Sequence, residues 1–402
     1  MRYFDYLTPE QEREIFHYLP TEFSNRDDKE LLAYAVGAAL YMPATRPSIA
    51  EDIVARKIKG LASVVIDLED AVGDMQVELA ELRLLETLDK LQVYVNRGTL
   101  EAKDLPLIFV RVRSAKQFER LLSQLEEQLP LVTGFAFPKF TASGGEAYFR
   151  ILDGYNKTRA EGAPLLYGMP ILETSEVIYR ESRLSTLLDI QALLTEYKHY
   201  VLNVRIGATD FSSIFGLRRS PDMTIYDIGV IRDCVTDILN IFGRENNRFV
   251  VSGPVWEYFK SDRVLKPQLR QTPFSEAMGK DGLRLRMSYI DRYVDGLIRE
   301  VAYDKENGIV GKTIIHPSHL QPVQAMYVVT HEEYIDAMSI ISNSTGEHGV
   351  MKSEYENKMN EIKPHLNWSN RIVHRSKVFG VLHDKHNFTC LLAEEQRTGA
   401  LV

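Results

Sequence analysis

The sequence predicts an α/β protein, a (β/α)8 TIM barrel with a C-terminal mostly helical extension, on three observations. Short β-branched or aliphatic runs alternate with charged stretches of helical period instead of forming separate blocks. There are eight such runs, and eight parallel strands joined by right-handed crossovers close a barrel. Almost every run ends on an ionisable residue, which suits the C-terminal mouth where barrels build their sites. A doubly wound open sheet is the competing arrangement.

In order, the expected strands are 35–42, 63–68, 107–112, 133–138, 164–172, 202–208, 248–252 and 312–315. Stretches such as 75–95 and 115–129 carry helical period between them. Ser48 with Glu51 and Ser114 with Gln117 have the spacing of reciprocal helix caps. The chain divides into an N-terminal helical segment (1–29, helix 9–18), a barrel domain (30–325) and an extension (326–402). The extension reads as helical at 331–341 and 353–363. Its stretch 367–392 is rich in His, Arg, Asn and aromatics and ends in a strand-like piece. A lid, a subdomain and an oligomer contact are all open roles for it.

Composition narrows the classes. With 45% apolar and 26% charged residues among 402, the chain has a globular balance. Its net charge of −8 argues against a dedicated nucleic-acid binder. Two cysteines, Cys234 and Cys390, make neither a disulfide framework nor a four-thiolate zinc site. No signal-peptide pattern opens the sequence, and the most apolar stretch, 31–43, is shorter than the ~20 residues that span a bilayer. A cytoplasmic protein with no membrane partner is expected.

The strand ends deliver Arg46 after the first run, Asp67, Glu69 and Asp70 after the second, and Arg111 and Arg113 after the third. Lys139, Glu173, Asp210 and His316 follow the fourth, fifth, sixth and eighth. Singly, each has a plain structural reading: an aspartate as a helix N-cap, a solvated lysine, a packed histidine. Arg111 and Arg113 alternate, so one faces the barrel, and Arg111 breaks the apolar alternation. Glu173 and Asp210 are hard oxygen donors on neighbouring strands, and two carboxylates are what magnesium usually takes from a protein. Arg111 and Arg46 offer planar forks for a substrate carboxylate. Neither GxxxxGK[ST] nor a GxGxxG after the first strand is present.

The series MPATRP, VVIDLEDAV, FVRVRS, FAFPKF, PILETSEV, RIGATDFSSIFGLRR and GKTIIHPSHL, one motif per strand end, resembles the citrate lyase beta subunit-like family, related to the HpcH/HpaI aldolases. It is most similar to a divergent carbon–carbon bond lyase branch of TIM-barrel fold. The resemblance implies a barrel that binds Mg2+, or Mn2+, on Glu173 and Asp210. Arg111 would hold the substrate carboxylate, with Arg46 in the same site and Gly207, Ala208 and Thr209 bordering the substrate. Glu69 and Asp70 would lie beside the metal and its water, and Lys139 and His316 belong to the site without an assigned role. Homo-oligomers, trimers or hexamers, are implied as well. Thr45 before Arg46, the long segment 253–311 and the long tail depart from the coenzyme A-using relatives, which disfavours a coenzyme A thioester substrate without closing it off. No histidine–aspartate base pair of the HpcH type is matched.

The function this supports is a Mg2+-dependent carbon–carbon lyase or aldolase. It would act on a small oxo or hydroxy acid, or its acyl-CoA thioester, through a metal-stabilised enolate. Two alternatives stay open. One is a phosphoenolpyruvate-type phosphoryl transfer enzyme, which ETSE and GATD would also suit. The other is a non-catalytic barrel subunit of a larger assembly, with Arg371, His374, Arg375, His383 and His386 available to a partner.

Overall fold

A computed structural model describes residues 1–259, 273–290, 294–346 and 349–392. Eight parallel strands stand where the eight runs were expected: β1 (Ala38–Pro43), β2 (Ser63–Asp67), β3 (Leu107–Arg111), β4 (Val132–Phe137), β5 (Tyr167–Leu172), β6 (Val204–Ile206), β7 (Val251–Ser252) and β8 (Lys312–Ile314). They pair in the order β7-β6-β5-β4-β3-β2-β1-β8. The ends of that order meet through a parallel bridge between Gly253 and Lys312. There the Gly253 N–H donates to the Gly311 carbonyl and the Thr313 N–H to the Gly253 carbonyl, each at 3.1 Å. Closure needs a glycine at 311: its φ is +76°, and a Cβ there would sit 2.2 Å from the Gly37 carbonyl oxygen. The first run is trimmed at its start, since residues through Ala35 are helical and the chain turns at Gly37 before β1.

Around the strands run α1 (Ile49–Val54), α2 (Val77–Asn96), α3 (Ala115–Gln124), α4 (Ala142–Thr158), α5 (Arg180–Glu196), α6 (Ala208–Ile214), α7 (Gly229–Phe242) and α8 (Val294–Glu306). In α2 the apolar residues recur as Ala80, Leu84, Leu88 and Leu91, one stripe that packs inward. On α3, Phe118 meets Phe135 and Phe137 at ring-centroid distances of 4.6 and 5.4 Å, so β4 turns those two rings outward. The two expected caps fare differently. Ser114 accepts from the Gln117 N–H at 3.2 Å, while the Gln117 side chain accepts from the Arg113 N–H. Ser48 caps nothing; its hydroxyl donates to Asp52, which α1 buries beside Arg46.

Lys312 faces away from the barrel interior into a buried ionic cluster. Its Nζ lies 2.8 Å from both Glu300 and Asp304 of α8. Arg219 also pairs with Glu300, and the Tyr226 hydroxyl donates to Asp304. Lys312, Arg219, Glu300 and Asp304 are all buried, and each has an opposite charge beside it.

Two compact units form. One takes Met1, Phe23–Tyr258 and Arg299–Leu320; the other takes Arg2–Glu22, Phe259–Ile298 and Gln321–Val402. The second unit centres on helices His331–Ser342 and Ile362–Phe379, with Val329, Ala337, Ile372 and Val381 buried together. Two local expectations are corrected here. The helix expected at 9–18 ends at Ile15, and Phe16–Tyr18 becomes a strand antiparallel to Val381–Leu382, which buries Phe16. The stretch 353–363, expected helical, is largely a hairpin of Val350–Lys352 with Met359–Glu361. Its polar residues Ser353, Lys358 and Asn360 converge on the buried Asp336 carboxylate, a set of contacts a helix could not make. Among the described residues no helix is long and apolar enough to cross a membrane.

Lys312→Met leaves Glu300 and Asp304 short of a counter-charge and should cost about 3–5 kcal/mol, read by urea unfolding. A pH effect follows from His319, whose buried ring bonds through Nε2 to the Tyr258 carbonyl at 3.0 Å. Burial pushes its pKa from 6.5 down to about 4, so the unfolded chain binds more protons than the folded one between those values. This contribution is present above about pH 6.5 and lost as pH falls toward 4, up to about 3 kcal/mol. In His319→Asn the fall in unfolding free energy between pH 7 and pH 4.5 should be correspondingly shallower.

Candidate active site

The strands open at their C-terminal ends onto a cavity of about 600 Å3. Its charged lining begins with a register pair: Asp67 at the end of β2 lies opposite Arg111 at the end of β3. Arg111 donates through Nε and Nη2 to the two Asp67 oxygens at 2.7 and 2.6 Å. Its Nη1 reaches Asp70 at 2.9 Å and Glu69 at 3.0 Å. Asp67 also accepts from the Glu69 and Ala71 N–H groups at 2.9 and 3.1 Å, which pins the loop after β2.

Lys139 continues the chain of charge. Its Nζ pairs with Glu69 and lies 3.5 Å from Asp70 and 3.8 Å from Asp210. Partial burial works against the ammonium, but the hydrogen bond and charge of Glu69 hold its pKa above the ordinary value. Lys139 has φ +47°, an uncommon backbone for a side-chain-bearing residue, and in this pose its N–H donates to Glu173 Oε1 at 2.7 Å. Glu173, buried at the end of β5, has its carboxyl pushed up to about 8, first by burial and then by the charge of Asp210. Asp210, in the first turn of α6, stands within hydrogen-bonding reach of Glu173, and burial raises its pKa too. Gly207 makes room for the pair, since a Cβ there would come within 2.2 Å of Glu173 Oε2.

Two adjoining carboxyls that resist ionising together fit a hard divalent cation, which would relieve their repulsion. Among the described residues no group of three or more His, Cys, Asp or Glu side chains is arranged for a metal. An ion on this pair would therefore take its remaining positions from water and substrate.

Asp70, Arg111, Glu173, Gly207, Ala208, Thr209 and Asp210 all line the cavity, and Glu69 and Lys139 join it through their ion pairs. Arg46 and His316 are not among the lining residues. Arg46 is drawn off by the buried Asp52 carboxylate. His316 stands at a helical turn, its Nδ1 accepting from the Ser318 N–H at 3.2 Å. Neither cysteine lines the cavity; Cys234 is buried against the Val177 carbonyl. Sequence reasoning passed over Tyr41 and Arg205, both of which line the cavity. Arg205 carried a signal: an arginine inside an apolar strand run, as at Arg111.

Gly207→Ala should destabilise the protein by about 1–3 kcal/mol, because the added methyl must displace Glu173. In the Glu173→Ala background that cost should largely vanish, a non-additivity read by thermal unfolding of the four proteins.

Compared with known proteins, the family model "C–C bond lyase of the TIM-barrel fold" matches residues 30–381. No curated protein sequence matches the chain. Among solved structures, a citrate lyase from Burkholderia xenovorans is 13% identical with a TM-score of 0.56, over 88% of this chain and 95% of that one. Protein CitE of Mycobacterium tuberculosis, in complex with magnesium, acetoacetate and coenzyme A, is 19% identical with a TM-score of 0.48, over 86% and 99%. The citrate lyase beta subunit of M. tuberculosis, complexed with oxaloacetate and magnesium, is 19% identical with a TM-score of 0.43, over 74% and 98%. The family match begins ahead of β1 and runs beyond β8, so the chain belongs to the C–C bond lyases of the TIM-barrel fold.

Proposed function

We propose that the cavity binds a divalent cation, magnesium by its donor chemistry, on Glu173 and Asp210, and makes or breaks a carbon–carbon bond beside the carbonyl of a small oxo or hydroxy acid. The observation that carries this reading is the adjoining carboxyl pair just beyond β5 and in the first turn of α6, with Glu173 held up to about 8 by burial and by its partner. A cation held there supplies a Lewis acid's pull on a carbonyl oxygen.

The chain's own residues divide the remaining work. Lys139 is held protonated, so it serves as a fixed positive charge near Asp210 and not as a base. Its N–H orients Glu173. Arg111 is fully engaged by Asp67, Glu69 and Asp70, and it holds those acids in place against the cavity wall. Such preorganised charge acts without reorganisation when charge develops on a substrate oxygen. The reading covers free acids and acyl-CoA thioesters alike.

Titration calorimetry should show Mg2+ binding to the wild-type protein. Glu173→Gln and Asp210→Asn should each weaken it by at least about a hundredfold, since even supporting residues around a metal cost ten- to hundredfold. Metal-dependent cleavage or condensation should appear in a panel of oxo acids and acyl-CoAs and be abolished in both variants. Absence of Mg2+ binding to the wild type overturns the proposal.

A further inference from the structure

One cation in the cavity has no counter-charge among the described residues. Arg205 of β6 is 1% exposed, yet it lines the cavity. Its Nη2 donates to the Thr313 hydroxyl at 2.7 Å, and its guanidinium lies 5.7 Å from the Tyr41 ring centroid. Its Nε and Nη1 atoms have no acceptor, and among the described residues it has no acidic partner. Ser252, its register neighbour on β7, is wholly buried, and its hydroxyl is likewise without a partner.

The chain does not treat other buried arginines this way. Arg111 is held by three acids, Arg219 by Glu300 and Glu257, and Arg183 by Asp237. Contact with a tyrosine face and one neutral hydroxyl offsets only part of what burying a guanidinium costs. The balance has to come from something that enters the cavity. Because Asp67, Glu69 and Asp70 already occupy Arg111, Arg205 is the arginine with donors to offer. It also lies two residues before Gly207 on β6, and so deeper in the barrel than the Glu173–Asp210 pair.

We propose that Arg205 seats a second carboxylate of the substrate, so that the acid taken by this site is a short diacid. Its reacting oxo end lies at Glu173 and Asp210, and its far carboxylate reaches down to Arg205. Arg205 pairs in register with Ile171, two residues before Glu173, and it lines the same cavity as Glu173 and Asp210, so one compact ligand can meet both. This rests on the function proposed above and adds the substrate class to it.

The test compares matched acids that differ only in the far group: oxaloacetate against 2-oxobutanoate, and 2-oxoglutarate against 2-oxopentanoate. Binding is followed by calorimetry on the full-length protein with Mg2+ present. In at least one pair the wild-type protein should bind the diacid about ten- to hundredfold more tightly, the worth of hydrogen bonds to a charged group. Arg205→Met should remove that preference while leaving the monoacid within about threefold. Arg205→Lys, which keeps the charge but not the fork, should retain part of it. Equal binding of both members of both pairs by the wild type overturns the inference, and this arm needs no substitution to fold. A diacid preference that survives in Arg205→Met overturns it as well. If monoacids bind with Mg2+ and diacids gain nothing, the lyase reading stands and only the diacid seat falls. If no oxo acid binds with or without Mg2+, both fall together.

Discussion

Burying a guanidinium at the end of a barrel strand costs several kcal/mol unless carboxylates surround it, and Arg111 is the ion around which this mouth is arranged. Its fork is met by Asp67, its register partner on β2. Asp67 in turn accepts two backbone N–H groups of the following loop, which brings Glu69 and Asp70 round to the free edge of the same guanidinium. Glu69 then reaches Lys139 after β4, and the Lys139 N–H fixes Glu173 after β5. One strand register thus propagates through four strand ends. A slip of one residue between β2 and β3 would turn Asp67 or Arg111 to the other face and undo the whole series.

The period of two that aims these side chains also separates two ionic systems that would otherwise compete. On β8, Thr313 faces the cavity and bonds Arg205, while its neighbour Lys312 faces α8 and lies between Glu300 and Asp304. In the outer system every charged group has an opposite partner, with Arg219 pairing Glu300 and Glu257 and Tyr226 donating to Asp304. The inner one is left with two acids crowding each other and one arginine without an acid. Closed networks suit structure; mismatched charges inside a cavity suit a ligand.

Most of the barrel was legible in the sequence because each strand is a short apolar run between breakers, and the parallel order follows from the crossovers. Glu173, Asp210 and Arg111 were legible because an ionisable residue at the end of such a run is a visible break in pattern. Arg46 looked the same by that criterion, yet the buried Asp52 of α1, six residues later, captures it, a choice that the strand-end pattern does not encode. The hairpin at 350–361 was missed for a similar reason: its polar residues are organised by Asp336, which belongs to another element. Arg205 was overlooked because the strand-end criterion took Asp210 from the sixth run, five residues on, past the inward-facing position inside the strand.

The barrel floor bears on how a ligand would lie. Barrel interiors are usually filled by branched apolar side chains in layers. Here β4 turns Phe135 and Phe137 outward to Phe118, which leaves Gly134 and Ala136 on the inner face. Across the ring, Asn203 precedes Arg205 by one full pleat period, is wholly buried and leaves both amide atoms without partners; Ser252 stands beside Arg205. Small residues on one wall face unmet polar atoms on the other in this buried layer below the cavity. Charge is then layered along the barrel axis, with acids at the rim and a lone guanidinium below them. A ligand that brings its own negative end inward satisfies the floor, and a carbonyl at its other end arrives beside Glu173 and Asp210.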